Sequence, residues 1–260
     1  MFELAGVSLR RGRAFALRSV SARFNSGELV CVCGPNGAGK SSLLGVLAGD
    51  LRPSDGTARI DGALIHRLSA AELARRRAVL EQAPSSAADF TVGEVVELGA
   101  AVSDAPAADL RSVVARALKD AGVERYEHVS INQLSGGERA RAHFARVLAQ
   151  HRAARQAGGG CRGAVLLDEP TASLDLAHQA ETLRLARRCA RDGGAVVVVV
   201  HDLNLAAAFA DRIVLMREGS IVADAPPQQA LGSEQLTRLY GISVAVERSA
   251  SGRLRIAPEF

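Results

Sequence analysis

Residues 34–41 read Gly34-Pro35-Asn36-Gly37-Ala38-Gly39-Lys40-Ser41, which fits the spacing GxxxxGK[ST]. An apolar run, Leu29–Cys33, precedes this segment, and a helical pattern opens near Lys40 with Ser41 and Ser42. A strand, a glycine-rich turn and a helix in that order predict a βα unit of a mostly parallel sheet. Glycines at these positions let consecutive backbone N–H groups curl around phosphate oxygens, with the helix N-terminus adding favourable potential. Lys40 is placed to bridge phosphate oxygens and Ser41 to offer a hydroxyl to Mg²⁺.

Composition singles out the same lysine. Of the 32 lysines and arginines only Lys40 and Lys119 are lysine, so arginine serves almost everywhere else a cation is needed. A slim ammonium on a flexible stem threads between phosphates, whereas a planar guanidinium is bulkier.

The rest of the chain reads as one α/β domain. Ala164–Leu167 and Ala195–Val200 are short apolar runs without alternation, as expected for central strands covered on both faces. Segments around Glu3–Leu9 and Val20–Phe24 predict an antiparallel β flank. From about Pro84 to Gln150 the strand signal disappears, and 91–99, 107–120 and 136–149 read as helices of an inserted lobe. His151–Gly163, rich in Ala, Arg and Gly, reads as an exposed, mobile connector. The core is expected over residues 1–225. A Pro-Pro pair then opens a small extension, 226–260, of two short helices and a hairpin.

Composition also bounds function. The 260 residues carry 48% hydrophobic and 23% charged residues, a globular balance. No apolar run approaches the ~18–20 residues that cross a bilayer, and MFELAGVSLRRGR lacks a signal-peptide core. A soluble, cytoplasmic protein is expected. The net charge of +4 raises a nucleic-acid partner. Against it stand scattered arginines, no Trp, two Tyr and seven Phe. No nucleic acid is therefore expected. Cys31, Cys33, Cys161 and Cys189 match no metal spacing and read as reduced, mostly buried thiols.

Asp168-Glu169 closes the strand at Leu167, where such sheets bind ligands in the crevice beyond their C-terminal ends. Asp168 is the candidate Mg²⁺ holder and Glu169 the candidate general base that orients the attacking water.

Further segments carry a family resemblance. Leu134-Ser135-Gly136-Gly137-Glu138 resembles the signature sequence of ATP-binding cassette (ABC) proteins and lies upstream of Leu166-Leu167-Asp168-Glu169-Pro170, in that family's order. Gln82 falls at the Q-loop position, Ser173-Leu174-Asp175 at the D-loop position, and His201 follows the valine strand. The resemblance covers roughly residues 3–225. It implies the ABC ATPase fold, a RecA-like P-loop NTPase core with antiparallel β flank and inserted helical lobe. It also implies ATP and Mg²⁺ as cofactors. Gln82 would sense Mg²⁺ or water and relay lobe rotation, and His201 would bond the γ-phosphate. Ser135, Gly136, Gly137 and Asp175 would meet a nucleotide held by a second protomer, in a head-to-tail homodimer. Partners implied are an integral membrane permease dimer and, indirectly, a periplasmic or extracellular substrate-binding protein. The place implied is the cytoplasmic face of the cell (inner) membrane.

In one respect the sequence departs from the family. ABC proteins usually stack adenine on an aromatic residue of the β flank, whereas Arg11 occupies that register here and Phe15 is the nearest aromatic. For cargo, His201–Ala207 with Ala210-Asp211-Arg212 resembles importers of iron chelates, haem and cobalamin. Leu174–Gln179 and the Gly-rich connector resemble haem (hemin) importers within that group. Ferric siderophore and cobalamin are the alternatives. A DNA-associated or regulatory ATPase, and a cassette that binds nucleotide without turnover, are readings from other classes.

Overall fold

The computed structural model describes residues 1–82, 89–102, 106–156, 163–249 and 252–259. Its centre is a six-stranded sheet ordered β10 (Ser220–Ala225), β9 (Arg212–Arg217), β3 (Leu29–Cys33), β8 (Val196–Val199), β7 (Ala164–Asp168) and β6 (Arg77–Leu80). All its pairings are parallel except β10 with β9.

Alternation along the central strands explains why they are apolar throughout. Leu29, Cys31 and Cys33 of β3, Val165 and Leu167 of β7, and Val196 and Val198 of β8 enter one core. The residues between them, Val30, Val32, Ala164, Leu166, Val197 and Val199, enter a second core on the opposite face. Both faces are dry, so no polar residue fits inside these strands.

The second core is closed by an antiparallel sheet ordered β2 (Ala14–Phe24), β1 (Phe2–Arg11), β4 (Asp55–Ile60) and β5 (Ala63–Leu64), and by helix α1 (Lys40–Ala48). Leu73 from α2 (Ala70–Arg76) joins it. The β flank is longer than the sequence indicates, because β4 opens on exposed polar residues and shows little periodicity.

The first core is covered by α3 (Val92–Ala100), α4 (Ala107–Asp120), α5 (Gly136–Gln156), α6 (Leu176–Arg191) and α7 (Leu203–Phe209). Helix α3 begins at a capping box in which Thr91 and Glu94 satisfy each other's backbone N–H groups. Gly99 lies against α5 so closely that an added Cβ would come within 2.3 Å of the Arg146 carbonyl. Helix α5 is tied to the sheet edge. Arg146 donates to the Val79 carbonyl (2.7 Å), and Gln150 donates to the carbonyls of Ala74 (2.9 Å) and Arg77 (3.1 Å).

The exposed connector expected over His151–Gly163 is corrected in part. Helix α5 continues to Gln156, and His151, Ala153 and Ala154 are buried. Alanine and arginine are strong helix formers, and small alanines let the last turns pack closely. Gly163 is also buried. Residues 157–162, Cys161 among them, and the lobe's expected start at Pro84 lie outside the described residues. Cys31, Cys33 and Cys189 are free and buried, as expected.

After Ala225 come α8 (Pro227–Ala230), α9 (Ser233–Tyr240) and the hairpin of β11 (Val244–Arg248) with β12 (Leu254–Pro258). Asn204 of α7 grips this hairpin, accepting from the Ile256 N–H (2.9 Å) and donating to the Ile256 carbonyl (3.1 Å). The terminal segment thus braces the helix that follows His201.

Leu166 is fully buried in the second core. Leu166→Ala is expected to lower the unfolding free energy by about 2–5 kcal/mol. Urea denaturation checks this, and a loss below about 1 kcal/mol would mean the face is not close-packed there.

Candidate functional site

The in-register pairing of β3, β8 and β7 brings three strand ends together. Val32 pairs with Val199, and Val199 with Asp168. The loop after Cys33, the Asp168-Glu169 pair and His201 therefore emerge side by side.

Two glycines of the loop after β3 have no substitute. A Cβ on Gly34 (φ 150°) would sit 2.2 Å from the Met216 carbonyl, and one on Gly39 (φ 101°) 2.5 Å from the Ala16 carbonyl. The loop is pressed between β9 and β2, and only glycine fits at these two close approaches. Lys40 is only 6% exposed and donates from Nζ to the carbonyls of Gly34 (2.8 Å) and Pro35 (2.9 Å). Burial lowers its pKa, opposed by the charges of Glu169 and Asp168 and by Cys33. Burial likewise pushes the Cys33 thiol up to about 12, which leaves it inert as a nucleophile.

Together these groups frame a cavity of about 750 Å³ lined by Arg11, Ala16, Asn36–Ser42, Gln82, Glu169 and His201. Glu169 is held from two sides. Gln82 Nε2 donates to its Oε2 (3.0 Å), and His201 Nε2 lies 2.6 Å from its Oε1. Its backbone sits at φ +49°, a left-handed conformation that is rare for a non-glycine residue and carries a local strain. Asp168 lies just beneath. Burial raises its pKa, partly offset by a hydrogen bond from Ser41. Its Oδ1 is buried without a hydrogen-bond partner.

This donor set suits a hard cation. A hydroxyl, an unpartnered carboxylate oxygen and a nearby amide match Mg²⁺, which prefers oxygen and binds through one or two protein groups plus phosphate. Among the described residues no trio of His, Cys, Asp or Glu forms a protein-only cage.

Of the two adenine candidates, Arg11 lines the cavity and Phe15 does not. The Phe15 ring instead carries the guanidinium carbons of Arg10 (4.6 Å) and Arg18 (5.1 Å).

Ser135, Gly136, Gly137 and Asp175 are not at this cavity. Ser135 caps α5: its hydroxyl donates to Glu138 Oε2 (2.6 Å), and its N–H donates to the same oxygen (3.0 Å). Tyr126 donates to the other Glu138 oxygen. These bonds hold the Glu138 carboxyl at about 2. Gly136 faces open space, while Gly137 packs on Ser173, where a Cβ would stand 3.2 Å from the carbonyl. Asp175 caps α6, accepting from the His178 N–H (2.9 Å). The signature and D-loop segments thus touch each other, and Lys40, Glu169 and His201 face a separate cavity. Sequence reasoning missed the roles of Tyr126, Arg141 and His178 in this second cluster, because the Tyr126–Glu138 and Arg141–His178 contacts join different elements.

A second cavity of about 610 Å³ lies between α4, α5 and α6, lined by Arg116, Arg152, Arg155, Arg188 and Arg191 among others. It lacks a phosphate-cradling backbone loop and holds none of the site residues.

A family model described as ABC transporter matches residues 17–172. The hemin import ATP-binding protein HmuV of Rhodopseudomonas palustris (strain BisA53) is 45% identical over 95% of this chain and 90% of its own length. The protein of the same name from Bradyrhizobium diazoefficiens is 42% identical over 100% of this chain and 95% of its own. Among solved structures, an ATP-binding cassette captured as a dimer in a post-hydrolysis state with ADP and Pi is 28% identical. It superposes with a TM-score of 0.75, covering 87% of this chain and 99% of that one. The chain belongs to the ABC transporter family and is one of its ATPase cassettes.

Proposed function

We propose that this cassette energises a hemin importer, working as a head-to-tail homodimer on the cytoplasmic face of the cell membrane beneath a dimeric permease. A substrate-binding protein outside the membrane would deliver cargo to that permease. The observation that carries the ATPase part is Glu169 clamped between Gln82 and His201 at the mouth of the cavity that holds Lys40. The hemin assignment rests on relatives at 39–45% identity bearing that name over nearly the whole chain. Among the described residues no helix is long and apolar enough to cross a membrane, so passage of cargo is assigned to a partner.

In this reading the backbone N–H groups of 36–41 and Lys40 bind the β- and γ-phosphates, and Arg11 lies against the adenine. Ser41 and Asp168, with Gln82 close by, would hold Mg²⁺, and the ion would supply positive charge against the phosphates. Glu169 accepts a proton from the attacking water, and His201 steadies both Glu169 and the γ-phosphate. Ser135, Gly136, Gly137 and Asp175 reach the nucleotide of the partner protomer, which explains why one chain leaves them off its own cavity. Sandwiched nucleotide draws the dimer together, and hydrolysis reopens it. The helices α3–α5, tied to the sheet edge beside Gln82, carry that motion toward the permease.

Glu169→Gln is expected to retain ATP binding, trap an ATP-dependent dimer and lower turnover by about a hundredfold or more. Phosphate release with size-exclusion chromatography checks this, and near wild-type turnover would remove Glu169 from its role. Lys40→Ala is expected to abolish nucleotide binding or hydrolysis, read by the same assay with equilibrium binding. For cargo, cells lacking the gene should lose uptake of labelled hemin but keep ferric siderophore and cobalamin uptake. The wild-type gene should restore hemin uptake and the Lys40→Ala gene should not. Unchanged hemin uptake with loss of another cargo would overturn the hemin assignment.

A further inference from the structure

We infer that His178 is a positioning residue that locks the D-loop to the signature helix within one protomer, through a relay from Arg141 to His178 to Asp175. The inference rests on the ATPase reading above and adds a component to it.

Arg141 projects from the second turn of α5, six residues after Ser135, and its Nη1 lies 2.6 Å from His178 Nε2. On its other side the imidazole presents Nδ1 to Asp175 Oδ1 at 2.8 Å. A guanidinium has only donors, so Nε2 must accept and Nδ1–H must donate to the carboxylate. One neutral tautomer satisfies both partners, and the ring orientation is fixed by the network. Asp175 is also the cap of α6 and takes the His178 N–H on the same oxygen. Its carboxyl is accordingly held below the usual range, by the backbone bond first and the imidazole second.

Three neighbouring features make this a joint and not a chance surface contact. Among the described residues the Arg141 guanidinium has one hydrogen bond, from Nη1 to His178, and its Nε is buried without a partner. Gly137, next to the signature serine, abuts the Ser173 carbonyl and the Leu174 side chain. Glu138 lies one turn before Arg141 and is fixed by Ser135 and Tyr126. Residues 135–141 and 173–178 therefore form one contiguous unit, although it belongs to two elements. In the dimer reading both halves of that unit meet the partner's nucleotide, so their relative placement sets how well they do so together. A 1 Å misplacement of groups that act in concert can cost orders of magnitude in rate.

His178→Ala removes the link, whereas His178→Gln rebuilds it: the amide oxygen accepts from Arg141 and the NH₂ donates to Asp175. Steady-state ATP hydrolysis by the full chain is expected to show kcat reduced about tenfold in His178→Ala, with the KM for ATP within about twofold of wild type. His178→Gln should recover most of that loss. Arg141→Ala should resemble His178→Ala, and the double variant should be no worse than either single one, the non-additivity of groups acting as one unit. Equilibrium nucleotide binding, unchanged in each variant, separates lost positioning from misfolding. A His178→Ala kcat within about twofold of wild type, multiplying effects in the double variant, or a glutamine no better than alanine would each overturn the inference. If the wild-type chain itself releases no phosphate, the ATPase reading fails instead. The Arg141–His178 coupling then remains measurable as a double-mutant cycle on urea unfolding, where additivity would overturn the link.

Discussion

The parallel, in-register pairing of β3, β8 and β7 is the constraint on which everything else rests. These strands are buried on both faces and made almost wholly of Val, Leu and Cys, so a one-residue slip would exchange the two cores. Because their register is fixed, their C-terminal ends are fixed too. The loop after β3, the Asp168-Glu169 pair and His201 therefore meet at one edge, where the hydrogen bond between His201 and Glu169 links two of them. The site is precise because it is mounted on the least deformable part of the molecule.

Around that edge the chain places polar groups under tension. Lys40 is buried and held by the loop's own carbonyls, and Asp168 keeps a buried oxygen without a partner. Glu169 adopts a left-handed backbone. Each feature costs stability locally and is tolerated because the sheet over-determines the geometry. Phosphate and a cation would relieve two of them, supplying oxygens for Lys40 and a positive partner for Asp168.

Much of this was legible in the sequence, for a physical reason. The glycine loop that leads to Lys40, a carboxylate pair and a histidine each follow an apolar run, so strand ends and chemistry are marked together. The parts that were not legible depend on distant pairing. Strand β4, reading Asp-Gly-Thr-Ala-Arg-Ile, buries few positions and has no periodicity. The last turns of α5 read as a loop because alanine and arginine suit both an exposed connector and a packed helix. The burial of His151, Ala153 and Ala154 shows which applies. The contact of Arg141 with His178 spans 37 positions and has no local signature. Arg11 and Phe15 lie four residues apart on the same hairpin, and only the fold turns the first toward the cavity and sets Arg10 and Arg18 against the second.

The division of the site into two groups is the feature with most bearing on how the molecule works. One group surrounds Lys40, and the other joins Ser135 to Asp175 through neighbouring elements. The most direct measurement is an intermolecular disulfide between them. One copy carries Asn36→Cys in the phosphate loop, and the other carries Gly136→Cys, where a side chain meets open space. Cys161 is replaced by serine in both, and the remaining native cysteines are buried. A cross-link between the two copies that forms with ATP and fades without it is the expected result. No cross-link with ATP, or an equal yield with and without nucleotide, would contradict a shared site built from two chains.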